Sequence, residues 1–195
     1  MSETDPGQAG ADQTWDLSGM TAQSANSRSI LAPEGLPESE SFPEATHVFH
    51  QEEMSQQYTY FSYADNTVDE IGFYNMGLNA TVHTTYSDPL SRLSLPLNYE
   101  DNFSDSYTNQ SLNELIFGSE LNVIVYDEVG SYDATVDGYG TLITPNGTYE
   151  DVLRIHTETE VDWTVSNDSI ETGAGSRTRS EYLYYKAGFP VPIVQ

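Results

Sequence analysis

Apolar and polar residues alternate along most of the chain after Thr46, a pattern typical of β-strands with one buried and one solvated face. Within 148–165, the odd positions from Leu153 to Trp163 are apolar or Thr, and the even positions from Arg154 to Asp162 are charged or His. Gly, Pro and Asp-Asn clusters separate the alternating runs. The predicted strands are 46–54, 57–63, 70–76, 80–86, 121–129, 132–144, 148–165 and 177–186.

Two short sequences predict hairpin turns. One is Asp65-Asn66, and the other is Pro145-Asn146-Gly147, in which Asn146 and Gly147 both tolerate the positive φ of a primed turn. In the strand before the second turn, Gly138 and Gly140 lie two positions apart on one face. We therefore expect another chemical group to pack close to the backbone there.

The first 45 residues differ in composition from the rest. Ser, Gly, Pro, Glu and Gln dominate them, which predicts an extended arm or surface segment over 1–45, anchored at a sheet edge by Trp15. The antiparallel β domain is expected over 46–195.

Two stretches interrupt its strand pattern. Segment 86–97 holds two prolines, so we expect an irregular apolar strap across the sheet or an ordinary loop under the core; 112–118 predicts a short helix.

Charge restricts the possible partners. With 31 acidic and 6 basic residues, the formal net charge is -25, which repels nucleic acid and anionic membranes. The charge serves either simple solubility or a cation-dependent role. Disorder is not expected, because 12% of the residues are aromatic. The chain has no cysteine, hence no disulfide, and it shows neither a signal peptide nor an apolar run long enough for a transmembrane segment.

Carboxylates make calcium the metal to consider, because Ca²⁺ prefers oxygen ligands. The candidate ligands are Asp65, Asp69, Asp101 and Asp105, although none forms an EF-hand loop. We therefore expect either no cofactor or a bound Ca²⁺ ion.

Four tyrosines on predicted strands are candidates for ligand binding: Tyr58, Tyr60, Tyr182 and Tyr184. Exposed rings in a row can stack on sugars or on a protein partner, whereas buried rings form cross-strand pairs. Arg154 is predicted to be structural, because it is one of few cations among many carboxylates.

The run "DGYGTLITPNGTYEDVLRIHTE", the ending "EYLYYKAGFPVPIVQ" and the opening "PGQAGADQTWDLSGM" resemble secreted domains of Bacteroidota that usually carry a type IX secretion sorting tail. Leu17 stands where their pattern has Phe, and the tail itself is absent. The resemblance implies a secreted or cell-surface location and no known catalytic residues. A looser similarity to lipoprotein-type half-barrels implies a curved sheet that cups an apolar groove. The predicted fold is thus mainly β, a curved antiparallel sheet forming a half-barrel or sandwich.

Three functions remain open. The first is a non-enzymatic extracellular or cell-surface module that binds a glycan or a protein, with or without stabilising calcium. The second is a carrier of an apolar ligand in the concavity of the sheet. The third is a carbohydrate-active hydrolase that uses strand-face carboxylates such as Glu158 and Glu160, whose spacing suits glycoside cleavage. No oligomeric state is predicted.

Overall fold

Ten strands form a single sheet in the computed structural model, which describes residues 5–20, 27–52, 55–117, 120–167, 170–188 and 191–194. The strands are β1 (Gly10–Asp16), β2 (Ser27–Leu31), β3 (His47–Glu52), β4 (Gln56–Ala64), β5 (Thr67–Met76), β6 (Ala80–Ser94), β7 (Asn102–Phe117), β8 (Glu120–Thr144), β9 (Gly147–Asn167) and β10 (Ile170–Lys186). A 3₁₀ turn covers Ser39–Ser41.

The sheet is an antiparallel meander in which each strand from β2 to β10 pairs with the next one along the chain. Strand β1 is the exception. It pairs in parallel with the second half of β8, from Gly138 to Ile143, beyond the point where β7 ends its pairing at Thr135. The prediction of a mainly β, antiparallel fold is confirmed, and the single sheet favours the half-barrel over the sandwich.

Curvature brings the two ends of this sheet toward each other without closing it. Side chains of β2–β6 and of β8–β10 line one common cavity, although no pairing joins β2 to β10 in the described residues. We call the face that lines this cavity the inner face. Its buried core comprises Leu90, Tyr107, Tyr132, Ala134, Val136, Ile155 and Val161.

Two separate clusters cover parts of the opposite, outer face. Around Phe42, the segment after β2 packs on Val48, Tyr58, Tyr60 and Ile71. Around Trp15, strand β1 packs on Leu142, Val152 and Tyr184, and Leu17 completes that cluster. The segment 1–45, predicted as an extended arm or surface segment, thus contributes strands β1 and β2 and the residues that pack over both outer-face clusters.

The structure corrects two predictions for the middle of the chain. The predicted strap over 86–97 belongs largely to β6, which runs through Pro89 to Ser94. Pro89 is tolerated because β6 shifts register there, so the missing N–H interrupts no regular ladder. The predicted helix over 112–118 is instead part of β7, which pairs with both β6 and β8. The predicted strands 121–129 and 132–144 are one strand, β8.

Both predicted hairpins are present, with different turn geometry. Asp65 and Asn66 have φ of 51° and 66°, as a primed two-residue turn requires, and Ala64 pairs with Thr67. In the second hairpin Thr144 pairs with Gly147, so the two loop residues are Pro145 and Asn146. The expectation of a primed turn at Asn146-Gly147 is wrong, because Pro145 fixes a negative φ within the loop.

Candidate functional site

The inner face holds a cavity of about 430 Å³, within the range of about 300–1,000 Å³ typical of small-molecule sites. Both halves of the sheet contribute to it, because the curvature brings β3 and β4 opposite β9 and β10. Its apolar lining consists of Ile30, Phe49, Phe61, Val68, Phe73, Leu93, Tyr132, Leu183, Tyr185, Val191 and Pro192.

Strand alternation places these apolar side chains in the cavity. In β4, Thr59 points inward while its neighbours Tyr58 and Tyr60 pack on the outer face under Phe42. Several inward residues, including Phe61 and Phe73, are only half-buried. The cavity therefore offers apolar surface that the protein's own core does not cover.

A charged cluster lies beside this apolar lining. Arg92 donates from Nε to Glu70 Oε2 at 2.7 Å, and its Nη2 lies 2.6 Å from the same oxygen. The Tyr86 hydroxyl donates to Glu70 Oε1 at 2.9 Å. The Arg92 guanidinium also lies over the ring of Tyr132, 5.7 Å from its centroid. Because the Arg92 side chain remains 37% exposed, the pair is built into the wall of the cavity and not sealed within it.

A smaller recess of about 160 Å³ adjoins the main cavity and shares Arg92, Arg179 and Glu181 with it. Its wall also contains Arg177, whose Nη2 lies 2.7 Å from Glu128 Oε1. Arg179 Nη2 lies 2.5 Å from Glu181 Oε1. Along the inner face of β10 the side chains thus change from charged to apolar.

Tyrosine hydroxyls at this site stay protonated at neutral pH. Burial raises the pKa of Tyr132 to about 12. Burial, and then the neighbouring Glu70 carboxylate, raise the pKa of Tyr86 well above its ordinary value of 10.0. Burial likewise raises the pKa of Tyr185. The hydroxyls are therefore hydrogen-bond donors here and not anions.

On the outer face, a second arginine is enclosed completely. Arg154 is 2% exposed and makes a two-pronged contact with Asp137, Nε to Oδ1 at 2.8 Å and Nη2 to Oδ2 at 2.9 Å. Its Nη1 donates to the carbonyl oxygens of Pro6 and Gly7, both at 2.8 Å. Through these bonds Arg154 ties the N-terminal segment to β9.

The glycines and the tryptophan singled out in the sequence belong to the same outer region. A Cβ on Gly138 would lie 2.9 Å from Trp15 Cζ2, and one on Gly140 would lie 2.0 Å from the Gln13 carbonyl oxygen. Strand β1 and the Trp15 ring are thus the groups that approach these glycines. Asn146 and Gly147 are exposed at the hairpin tip.

Three of the four candidate ligand-binding tyrosines are buried. Tyr58 and Tyr60 lie in the cluster around Phe42, and Tyr184 lies edge-on against Trp15. The fourth, Tyr182, is half-buried and stacks on His156, with Arg154 over its ring at 4.9 Å. Neighbouring side chains pack against these rings, which leaves no row of exposed rings for a ligand to stack on.

The four candidate calcium ligands are not brought together. Asp65 lies exposed in its hairpin turn, and Asp101 accepts hydrogen bonds from Asn98. Only Asp69 and Asp105 share a neighbour: Ser91 donates its hydroxyl to the first at 2.6 Å and its amide N–H to the second at 2.7 Å. In the described residues, no group of three or more His, Asp or Glu side chains is arranged to hold a metal ion.

Glu158 and Glu160 are exposed on the outer face of β9, whereas Thr157 lines the cavity and Thr159 lines the recess on the inner face. The cavity residues themselves were missed by the sequence analysis. One signal could have found part of the lining: in the predicted strand 177–186, every second residue from Arg177 lies on one face, and that face carries Arg177, Arg179, Glu181 and Leu183.

Comparison of the chain with known protein families, with curated proteins and with solved structures found no match. In the described parts of the chain, no helix has the length and apolar character needed to cross a membrane.

Proposed function

We propose that this protein is a non-enzymatic binding module that holds the apolar part of a small molecule in the cavity of its inner face. The observation that carries the proposal is the cavity of about 430 Å³, in which apolar side chains from both halves of the sheet face one another. Covering apolar surface of this kind is favourable by about 25 cal/mol per Å². A carrier of an apolar ligand is therefore preferred here over a glycan-binding or protein-binding module.

The alternatives have weaker support. A sugar platform would need exposed rings, and three of the candidate tyrosines are buried. Glycoside hydrolysis at Glu158 and Glu160 would need a substrate cleft between them, and both side chains lie on the outer face. The resemblance to secreted Bacteroidota domains supports an extracellular or cell-surface location for the module.

Binding of an uncharged environment-sensitive dye, N-phenyl-1-naphthylamine, tests the proposal. We expect a saturable rise in dye fluorescence with the purified full chain, because the dye is bright only when shielded from water. Phe61→Gln places a polar group in the cavity and should weaken binding roughly tenfold.

The matched control is Leu121→Gln, which makes the same kind of change at an outer-face residue that is 59% exposed. It should leave dye binding unchanged. A fluorescence rise that does not saturate, or an equal loss in the two variants, would contradict the proposal. Solvent extraction of the purified protein followed by mass spectrometry then identifies any molecule that co-purifies.

A further inference from the structure

The distribution of positive charge is uneven in this acidic protein. Of the 6 basic residues in the chain, Arg92, Arg177 and Arg179 all line the small recess beside the apolar cavity. Each pairs with a glutamate on the same inner face, respectively Glu70, Glu128 and Glu181. The recess is therefore lined by three arginines and two glutamates, with Glu70 beside Arg92 in the adjoining cavity, while the protein as a whole carries a formal net charge of -25.

The two exposed arginines have donors to spare. The Arg177 and Arg179 side chains are 58% and 66% exposed, and the ion pair of each is made through Nη2. A guanidinium carries five N–H groups in a planar fork, which suits the oxygens of a phosphate. The arginines can thus bind an anionic group while they keep their glutamate partners.

A buried acceptor provides independent evidence for a ligand in the recess. Asn109 lines it and is only 5% exposed. Its Nδ2 reaches Glu128 Oε2 at 3.4 Å, but its Oδ1 has no hydrogen-bond partner among the described residues. A buried polar atom is rarely left unpaired, because it loses the hydrogen bond that water would otherwise supply. A ligand that donates an N–H would satisfy this oxygen once the Asn109 side chain turns it toward the recess.

Long-range electrostatics favour a ligand with no net charge. A protein of charge -25 repels an approaching anion, whereas a zwitterion experiences little net force until it reaches the recess. In the recess, the arginines suit an anionic group, and the glutamates suit a group that carries N–H donors.

We infer that the ligand is a zwitterionic amphiphile, an inference that rests on the proposed function. Its hydrocarbon chain lies in the apolar cavity, and its headgroup, a phosphate with a primary ammonium, lies in the recess. The two compartments share Arg92, Arg179 and Glu181, so the junction between chain and headgroup lies beside these residues.

Calorimetric titration with four lipids of the same lauroyl chain, below their micelle concentrations, tests the inference on the full protein. The lipids are lysophosphatidylethanolamine, lysophosphatidylcholine, lysophosphatidylglycerol and uncharged monolaurin. We expect lysophosphatidylethanolamine to bind at least about tenfold more tightly than monolaurin. Lysophosphatidylcholine, which has no N–H to donate, should be intermediate, and the anionic lipid should be weaker than the ethanolamine lipid.

Variants assign the effect to the recess. Arg177→Gln should weaken the ethanolamine lipid roughly tenfold and leave monolaurin unchanged. Asn109→Leu should reduce the affinity for the ethanolamine lipid to that for the choline lipid. Lys186→Gln removes the same charge outside the recess and should change neither affinity. Thermal melts of each variant show that it is folded.

Equal affinities for monolaurin and lysophosphatidylethanolamine would overturn the inference and leave the proposed function intact. Tighter binding of the anionic lipid would also overturn it, in favour of an anion site. Equal affinities for the ethanolamine and choline lipids would overturn the part of the inference that assigns a primary ammonium to the headgroup. If none of the four lipids binds and the dye does not bind either, the proposed function fails together with the inference.

Discussion

Arg154 and Arg92 make similar ion pairs on opposite faces of one sheet, and they differ in what covers them. Arg154 is held by Asp137 and by two backbone carbonyls of the N-terminal segment, and it is 2% exposed. Arg92 is held by Glu70 and stays 37% exposed toward the cavity. The exposure of each arginine is therefore set by the chain segment that packs over it, and not by its carboxylate partner.

The difference separates a structural use of an arginine from a use in binding. Around Arg154, all three guanidinium nitrogens have partners within the protein and the side chain is 2% exposed, so another molecule cannot reach it. Around Arg92, the chain leaves the pair at the wall of an open cavity next to two further exposed arginines. The enclosed pair of Arg154 and Asp137 is sensitive to the loss of either partner, since the other charge would be left buried and unpaired.

The largest expected effect comes from breaking the enclosed pair. Arg154→Ala should lower the free energy of unfolding by about 3–5 kcal/mol, because Asp137 and the carbonyls of Pro6 and Gly7 lose their donors. Urea denaturation followed by circular dichroism measures the change.

Arg92→Ala is the matched variant for the open pair. Its cost should be smaller, because water reaches Glu70 from the cavity once the arginine is gone. Equal losses in the two variants, or an unchanged midpoint for Arg154→Ala, would remove the distinction drawn between the two arginines.

A second prediction concerns alkaline pH and Tyr132, which packs under Arg92. Burial raises the pKa of Tyr132 from 10.0 to about 12, so the folded state holds a proton that the unfolded chain loses near pH 10. The stability from this group is fully present below pH 10 and is lost as the pH rises to about 12. This change corresponds to about 2–3 kcal/mol.

Denaturation curves between pH 8 and pH 12 measure this loss, and absorbance at 295 nm reports tyrosinate formation. Tyr132→Phe should show a smaller fall over the same range than the unaltered chain. If both lose stability equally, the Tyr132 hydroxyl does not contribute to the alkaline fall.

A third prediction tests how β1 closes the outer face over Arg154. Gly140→Ala should cost about 1–3 kcal/mol, because its Cβ would lie 2.0 Å from the Gln13 carbonyl oxygen. Gly19→Ala is the control, since a Cβ there meets nothing within 4 Å. Thermal melts compare the two variants, and a normal melting temperature for Gly140→Ala would show that β1 docks without this close approach.

The smallest effect is expected from calcium. A thermal melt in EDTA and another with millimolar calcium, at equal ionic strength, should differ by less than about 2 °C, equivalent to under 1 kcal/mol. The reason is that Asp69 and Asp105 already accept hydrogen bonds from Ser91, while Asp65 and Asp101 lie elsewhere. A larger shift would mean that calcium binds a site that these carboxylates form only in its presence.

Local patterns were enough to predict most strands and both hairpin positions. Alternation in 148–165 and the Asp65-Asn66 turn depend on neighbouring residues, and the structure has β9 and the β4–β5 hairpin there. The 112–118 segment was misread because pairing with β6 and β8 overrides local preference. Pro89 was misread because a register shift in β6 accommodates it within a strand.

The cavity could not be predicted in the same way. Its lining joins Phe61 of β4 to Leu183 of β10, and nothing in the spacing of these residues reveals that the sheet curves enough to bring them together. The close approaches at Gly72 under Phe42 and at Gly130 under Tyr107 were missed for the same reason. By contrast, Gly138 and Gly140 stood out because they occur as a pair.

The parallel pairing of β1 with β8 constrains the order in which this protein folds. Trp15 pairs with Leu142, so the first strand of the chain cannot dock until the second half of the eighth strand exists. During synthesis, β1 therefore waits while the β2–β7 meander forms from neighbours close in sequence. Closing so long a loop is slow and entropically costly. Attachment of β1 therefore has to follow the formation of β8, and the enclosure of Arg154 by Pro6 and Gly7 also requires β9.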